Sequence, residues 1–291
     1  MSEIDERAGD IVRLLACPAC GGPHLIVDAS SARCPLCSRE YRRRGSAWNV
    51  SPPGAALAGL ESKMAPGRNW RRLLRPGLSL NVNRARLLDM VRVASAEGAV
   101  LDLGSGERRL GDRVVNLELD LFPNVDVIGS ALALPFIDGG FALVVCQAVM
   151  EHVSDPRCVV DEIGRVLQAG GRVYAEIPFM QGYHADPHDY QRFTISGIRT
   201  LFANFEEVEC GVCVGPASAF GWMLTELAGL IVPTRVGKIG VRFAVGWFAA
   251  LLKQCDRWLA RRPDAHRIAG GLYFLGRKAP TSDAVASTPA A

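Results

Sequence analysis

Apolar positions in the middle of the chain form short continuous runs that alternate with amphipathic segments. The runs are rich in Val, Leu and Ile and predict strands at residues 99–103, 114–119, 125–129, 141–147, 171–178, 207–214 and 271–276. The segments between them predict helices at residues 82–96, 156–168 and 196–205. Continuous apolar runs indicate strands that helices cover on both faces. The alternation therefore predicts an α/β fold around a parallel sheet with right-handed crossovers.

A different apolar pattern, with helical spacing, occupies about residues 217–262. Large apolar side chains recur every three or four residues, and basic residues recur at similar spacing, as at Lys253, Arg257 and Arg261. We expect an apolar helical extension here, inserted before the last strand. Two interpretations stay open: a lid packed on the sheet, or a basic amphipathic surface in peripheral contact with an anionic membrane. No uncharged stretch is long and unbroken enough to predict a transmembrane segment.

Charge and composition narrow the class of protein. The 291 residues are 49% hydrophobic and 22% charged, which excludes disorder as the main state. The net charge is +3, with +5 for residues 1–80, −8 for 81–215 and +6 for 216–291, so an acidic middle segment lies between two basic segments. The N-terminal residues lack the apolar core of a secretory signal, so we expect a cytoplasmic protein, with a membrane-peripheral location as the alternative.

Four of the nine cysteines form two pairs with matched spacing, at Cys17, Cys20, Cys34 and Cys37. Two CxxC turns on either side of a hairpin predict a closed tetrahedral Cys₄ site for structural Zn²⁺. A redox dithiol is the alternative, but it does not account for two matched pairs. We expect a zinc ribbon over residues 1–50, a connector over 51–80 and a disordered tail over 279–291.

Small and acidic residues follow the first two central strands. Asp102, Gly104, Ser105 and Gly106 end the first strand, and Glu118 and Asp120 end the second. Two glycines allow a sharp bend and close approach of a ligand, and a carboxylate on the next strand can accept hydrogen bonds from a ribose diol. The third glycine of a dinucleotide-binding fingerprint is absent. The spacing therefore favours a cofactor with a ribose but no pyrophosphate.

The run VLDLGSGERRLG, with VVNLELDLFPNVDVIGSALALPF, FALVVCQAVMEHVSDP and DEIGRVLQAGGRVYAEIPF, resembles class I S-adenosylmethionine-dependent methyltransferases of the type 11 group. The resemblance covers about residues 82–215 and implies a Rossmann-like seven-stranded sheet with an antiparallel last strand, within a methyltransferase domain at 81–278. It implies that Gly104–Gly106 faces the methionine part of the cofactor. It further implies that Glu118 binds the ribose hydroxyls, with Asp120 as the second candidate. Ser130 and Ala131 are expected to flank the adenine, and Gln147 is expected to lie near the sulfonium. The sequence departs from the family where Ser130 replaces a common Asp and where the first crossover is short.

A polar loop after the fifth strand carries the candidate catalytic residues. His184 and His188 are candidate general bases for an oxygen acceptor, oriented by Asp189 or Asp186. A divalent metal held by this loop, and a purely structural loop, are the alternatives. Glu151 and His152 are expected near the cofactor by the resemblance, with a structural role as the alternative.

Three function classes follow. The first is a methyltransferase for a small-molecule, sugar or lipid-linked glycan acceptor, with transfer to oxygen. The second is an RNA methyltransferase, because the N-terminal pattern also resembles zinc ribbons at the head of some RNA methyltransferases; the acidic central region argues against a surface that tracks RNA. The third is a non-catalytic interaction protein with a cofactor fold.

Overall fold

The computed structural model describes residues 11–28, 30–51 and 77–280. Most of the predicted connector at 51–80 and of the predicted tail at 279–291 lies outside these ranges. The described residues form a mixed sheet with helices on both faces.

Eleven strands build this sheet within the described ranges. They are β1 Ile26–Val27, β2 Ser31–Arg33, β3 Glu40–Arg44, β4 Ala47–Asn49, β5 Ala99–Leu103, β6 Val114–Glu118, β7 Val127–Ile128, β8 Phe141–Gln147, β9 Leu167–Pro178, β10 Glu206–Val214 and β11 Gly271–Arg277. Their order across the sheet is β1-β2-β3-β4-β7-β6-β5-β8-β9-β11-β10. The pairings among β5 to β9 are parallel, and β11 runs antiparallel to both of its neighbours.

The predicted count of seven strands is wrong for the sheet as a whole. β4 pairs in parallel with β7, with Trp48 opposite Val127, and thereby adds the N-terminal strands β1 to β4 to the sheet edge. The Trp48 N–H donates to the carbonyl of Asp126 at 2.9 Å, which fixes this junction. These added strands have two to five residues and no long apolar run, so the pattern that predicts the central strands does not reveal them.

A helical turn lies at residues 11–14. Six further α-helices are α1 Arg84–Glu97, α2 Pro156–Val166, α3 Ile195–Leu201, α4 Pro216–Ile231, α5 Arg235–Leu252 and α6 Asp256–Leu259. Helix α2 shows why they form where they do. Asp155 accepts from the Arg157 N–H at 3.0 Å, Pro156 occupies the first turn, and apolar residues at helical spacing face the sheet. None of the described helices is both long enough and apolar enough to cross a membrane.

The apolar core lies on both faces of the central strands. One cluster joins the sheet to α2 and α3, and a second joins it to α1. Parallel strands end at one edge of a sheet, so the residues that follow β5, β6 and β8 meet there. This carboxyl edge carries the candidate site.

Candidate active site

The bend after β5 contacts the carboxylate at the end of β6. Gly104 and Gly106 have φ values of +72° and +54°, which L-residues other than glycine rarely adopt. Gly106 N–H donates to Glu118 Oε2 at 2.9 Å, and Leu119 N–H donates to Glu118 Oε1 at 2.7 Å. Burial raises the pKa of the Glu118 carboxyl, and these two N–H groups oppose the shift. Each oxygen keeps a lone pair for a further donor.

The two glycines have different surroundings. A Cβ on Gly104 would lie 2.3 Å from Cγ2 of Val149, whereas a Cβ on Gly106 would meet no atom within 4 Å. Gly104 therefore allows the loop after β5 to pack closely against the loop that contains Val149. Gly106 borders open space beside the Glu118 carboxylate, as a ligand-binding bend requires. These residues fit a nucleoside with a free ribose diol.

Asp102 anchors the same bend from within the protein. Its buried carboxylate accepts from Arg108 Nη2 at 2.6 Å and from Arg108 Nε at 3.0 Å. Arg108 also lies 3.4 Å from the Gly104 carbonyl. Burial raises the pKa of the Asp102 carboxyl, and the guanidinium opposes that shift. Through Arg108, the Asp102 carboxylate therefore fixes the loop that contains the two glycines.

A polar cluster lies where β8 and β9 end. Gln147 Nε2 donates to Glu176 Oε2 at 2.5 Å, and the Tyr174 hydroxyl donates to Glu176 Oε1 at 2.6 Å. Asn81 Nδ2 lies within 2.9 Å of both Glu176 oxygens. Gln147 is thus held at the strand end by a buried carboxylate.

The remaining predicted cofactor residues border the same edge. Ser130 and Ala131 follow β7; the Ser130 Oγ accepts from the Leu132 N–H at 3.2 Å, and Ala131 packs against the core. Asp120 lies two residues beyond Glu118 and is partly buried. The structure brings Gly106 and Glu118 into direct contact and arranges the other residues around neighbouring strand ends.

The predicted catalytic loop, residues 179–193, packs against the turn at Met150–His152. His184 is partly buried, and its ring lies 5.3 Å from the ring of His152 in an edge-to-face arrangement. Its Nε2 lies 3.7 Å from Glu151 Oε1. The nearby Glu151 carboxylate raises the pKa of the His184 imidazole. His184 therefore belongs to a cluster that includes Glu151 and His152.

His188 and Asp189 occupy different positions in this loop. The His188 side chain is exposed, and its backbone carbonyl lies 2.6 Å from His152 Nδ1. Asp189 pairs with the Arg192 guanidinium, which holds the pKa of that carboxyl well below its usual range, and also accepts from the His184 N–H at 2.8 Å. Asp189 thus fixes the backbone of the loop.

The four N-terminal cysteines converge through two equivalent turns. Cys17 N–H donates to the Gly22 carbonyl and Gly21 N–H donates to the Cys17 carbonyl; Cys34, Ser38 and Arg39 repeat this pattern in the second turn. Gly21 and Ser38, at matching positions, both have positive φ. The sulfur atoms of Cys17 and Cys37 lie 3.7 Å apart, and those of Cys20 and Cys34 lie 3.5 Å apart.

Ionisation of the first cysteine is favoured by its neighbours. Burial raises the pKa of the Cys17 thiol, but the Tyr41 hydroxyl and the backbone N–H groups of Ala19 and Cys20 outweigh burial and bring that pKa down to about 6. The Tyr41 oxygen lies 3.0 Å from Cys17 Sγ. The donor set and its spacing fit a thiophilic metal ion.

Sequence reasoning missed Arg108, Glu176 and Asn81. Arg108 lies just after the glycine bend and six residues after Asp102. A basic residue so close to a predicted buried acid could have indicated an ion pair. Asn81 and Glu176 are 95 residues apart, and only the fold brings them together.

Residues 101–175 match the protein family described as "Methyltransferase domain". The match includes the glycine bend, Glu118, Gln147 and the Glu151–His152 pair. It indicates that the chain is an S-adenosylmethionine-dependent methyltransferase. No curated protein matches the chain.

Solved structures that resemble this one share little sequence identity with it. One, described as a sarcosine dimethylglycine methyltransferase from Galdieria sulphuraria, is 18% identical, with a TM-score of 0.42, covering 67% of this chain and 84% of that chain. Geranyl diphosphate C-methyltransferase from Streptomyces coelicolor A3(2) is 13% identical, with a TM-score of 0.40, covering 67% and 76%. Likeness at this level does not identify the methyl acceptor.

Proposed function

We propose that this S-adenosylmethionine-dependent methyltransferase methylates an oxygen of a lipid-linked glycan or a related amphipathic acceptor at a membrane surface. The cofactor supplies an activated methyl group on its sulfonium. The observation that carries the acceptor class is the distribution of apolar residues on α4 and α5.

The glycine bend and the strand ends are the proposed cofactor site. Glu118 accepts from the ribose hydroxyls, with Asp120 as the second carboxylate, and Gly104, Ser105 and Gly106 face the methionine part. Ser130 and Ala131 flank the adenine, and Gln147 lines the site near the sulfonium. Asp102 holds the bend through Arg108. A polar, positioned site of this kind suits methyl transfer, which depends on alignment and exclusion of water.

An oxygen acceptor must lose a proton during methyl transfer. His184 is the proposed general base, because it lies beside the Glu151 carboxylate at the edge that carries the cofactor residues. His188, in the same loop, is the second candidate. Asp189 acts as a positioning residue, since its carboxylate is engaged by Arg192 and by the His184 backbone.

Helices α4 and α5 have their small residues inside and their large apolar residues outside. A Cβ on Gly221 would lie 2.8 Å from the Cβ of Ala249, so the helices cross at small side chains. Large apolar side chains on the outer faces are exposed: Phe220, Met223, Leu227, Leu230, Ile231, Val236, Ile239, Phe243, Trp247, Phe248 and Leu251. Small residues at the contact and apolar residues outside are typical of helices in lipid. Exposed apolar area of this extent marks an interaction surface.

The charge of the helical segment indicates which partner the apolar surface contacts. Residues 216–262 contain seven Lys or Arg and two acidic residues. One acidic residue, Asp256, is buried and accepts from the Ala217 and Ser218 N–H groups at 2.8 Å; the other, Glu226, pairs with Arg242 at 2.5 Å. The exposed face therefore combines apolar side chains with a net positive charge, which favours the surface of an anionic bilayer.

The N-terminal segment is proposed as a structural zinc module. Zn²⁺ at Cys17, Cys20, Cys34 and Cys37 would hold the two turns together, while β4 joins the module to the sheet. We propose the division into a ribbon at 1–50, a connector at 51–80, a methyltransferase domain at 81–278 with the helical insertion at 217–262, and a tail at 279–291.

The proposal is tested by flotation and methylation together. The full chain is mixed with vesicles of phosphatidylcholine, with and without phosphatidylglycerol, and with radiolabelled S-adenosylmethionine, a bacterial lipid extract and bacterial RNA. We expect flotation with the anionic vesicles only, and label in a base-stable lipid fraction. Label that appears in added RNA instead of lipid, or absence of flotation at low salt, would contradict the proposal.

A further inference from the structure

Glu151 is a buried acid with no hydrogen-bond partner. Its side chain is 0% exposed, and neither carboxylate oxygen accepts a hydrogen bond within the described structure. His152 Nε2 and His184 Nε2 each lie 3.7 Å from Glu151 Oε1, which is longer than a hydrogen bond. An unpaired carboxylate in such a place is destabilising unless a cation or a hydrogen-bond donor occupies the space in front of it.

The two imidazole rings are held by their other nitrogens. His152 Nδ1 lies 2.6 Å from the His188 carbonyl, and His184 Nδ1 lies 2.8 Å from the Gly182 carbonyl. Arg192 Nη2, which only donates, also lies 3.3 Å from His184 Nδ1, but the contact of that nitrogen with the Gly182 carbonyl is shorter. A carbonyl only accepts, so both Nδ1 atoms donate to carbonyls, and in the neutral rings the lone pairs are on Nε2. Metal-ligating histidines are oriented in this way, by a donated hydrogen bond from the distal ring nitrogen to a carbonyl.

We propose that Glu151, His152 and His184 bind a divalent transition-metal ion. Their candidate ligand atoms lie within 4.8 Å of one another. A tetrahedral ion with bonds of about 2.1 Å places its ligands roughly 3.4 Å apart. Glu151 Oε1 lies 3.7 Å from each Nε2, so the side chains must move inward to close on an ion. Two imidazoles and one carboxylate suit Zn²⁺, Co²⁺, Fe²⁺ or Mn²⁺, whereas Mg²⁺ and Ca²⁺ prefer oxygen ligands.

Three protein ligands leave at least one coordination position open. In contrast to the closed Cys₄ set, this site can therefore take an exogenous oxygen. Its role rests on the proposed function: an acceptor hydroxyl bound at the open position would become more acidic. With His184 serving as a ligand, the proton of that hydroxyl would pass to His188, the second candidate base, or to water. The site lies on the turn that follows Gln147, at the edge that carries the proposed cofactor residues.

The test measures the metal directly. The zinc-loaded full chain is treated with a mild chelator that leaves the Cys₄ metal in place, and is then titrated with Co²⁺ while the visible spectrum and bound metal are recorded. We expect one added equivalent, with weak d–d bands and no thiolate charge-transfer band. Glu151→Gln, His152→Ala and His184→Ala should each weaken binding at least tenfold, whereas His266→Ala, in a different segment of the chain, should bind as the unchanged protein does.

Glu151→Gln keeps the shape of the side chain, so it tests the site even where an alanine variant folds poorly. Binding of S-adenosylhomocysteine by the same variant separates this inference from the proposed function, since cofactor binding should remain. No added equivalent of Co²⁺ in the unchanged protein, or equal binding by Glu151→Gln, would overturn the metal site. If the unchanged protein does not bind S-adenosylhomocysteine, the proposed function is overturned instead.

Discussion

The carboxylate of Glu118 accepts a hydrogen bond from the backbone N–H of Gly106 at 2.9 Å. This contact joins the ends of two adjacent parallel strands, β5 and β6, and leaves open space on the Gly106 side. A carboxylate with remaining lone pairs next to an unobstructed bend is suited to hold a ribose diol. The assignment of the cofactor site depends on this relationship.

The two glycines of the bend should respond differently to substitution by alanine. Gly104→Ala places a methyl group against Val149 in addition to the strain of a positive φ, so we expect the free energy of unfolding to fall by about 3 kcal/mol. Gly106→Ala meets no atom and should lose only about 1 kcal/mol, but should weaken S-adenosylhomocysteine binding. Urea unfolding and calorimetry measure the two effects. Equal stability losses with unchanged cofactor binding by Gly106→Ala would contradict this division.

Asp102→Asn should destabilise the bend. The change removes one charge of a pair whose carboxylate is buried, and it leaves Arg108 without its main partner. We expect a loss of about 2 kcal/mol in the free energy of unfolding. Asp89→Asn breaks an ion pair with Arg92 on the exposed face of α1 and should cost less than about 0.5 kcal/mol. Similar losses for both variants would mean that the buried pair does not support the bend.

Negative charge introduced on the outer helical face should weaken vesicle binding without unfolding the protein. Leu230 and Leu251 are 78% and 74% exposed, so Leu230→Glu and Leu251→Glu remove little packing. We expect at least a tenfold loss of binding to anionic vesicles in a flotation assay. Val208 is 56% exposed on β10, outside this surface, and Val208→Glu should float like the unchanged protein. Unaltered flotation of the helical variants would show that α4 and α5 do not contact the bilayer.

Loss of one buried cysteine should release the metal of the N-terminal module. Cys34→Ser removes a buried thiolate, and the bound zinc measured by mass spectrometry should fall by one equivalent per chain. Cys158→Ser changes an exposed cysteine on α2 and should keep the metal. If both variants hold the same amount of zinc, the four cysteines do not form a Cys₄ site.

Long apolar runs predicted the central fold well. β5 and β8 have the predicted bounds, because burial on both faces requires continuous apolar residues. β7 has only two residues where five were predicted, since just Val127 and Ile128 pair with neighbours. The junction of β4 with β7 could not be predicted, because short strands pair according to long-range contacts that leave no local pattern.

The candidate site was predictable where chemistry follows a strand end. Glu118 and the two glycines are predicted in this way, and the structure places Gly106 and Glu118 in contact. The cluster of Glu151 with His184 could not be derived from spacing, since 33 positions separate the two residues along the chain. Only the packing of the loop against the turn after β8 brings these groups to 3.7 Å.

The most direct test of the central claim is a calorimetric titration of the full chain with S-adenosylhomocysteine, beside the Glu118→Ala variant. We expect one binding site per unchanged chain and an affinity at least tenfold lower for Glu118→Ala, because two hydrogen bonds from the ribose hydroxyls to the carboxyl group are lost (about 1.4 kcal/mol for each tenfold change). Absence of binding to the unchanged chain, or equal affinity of the two proteins, would contradict the account.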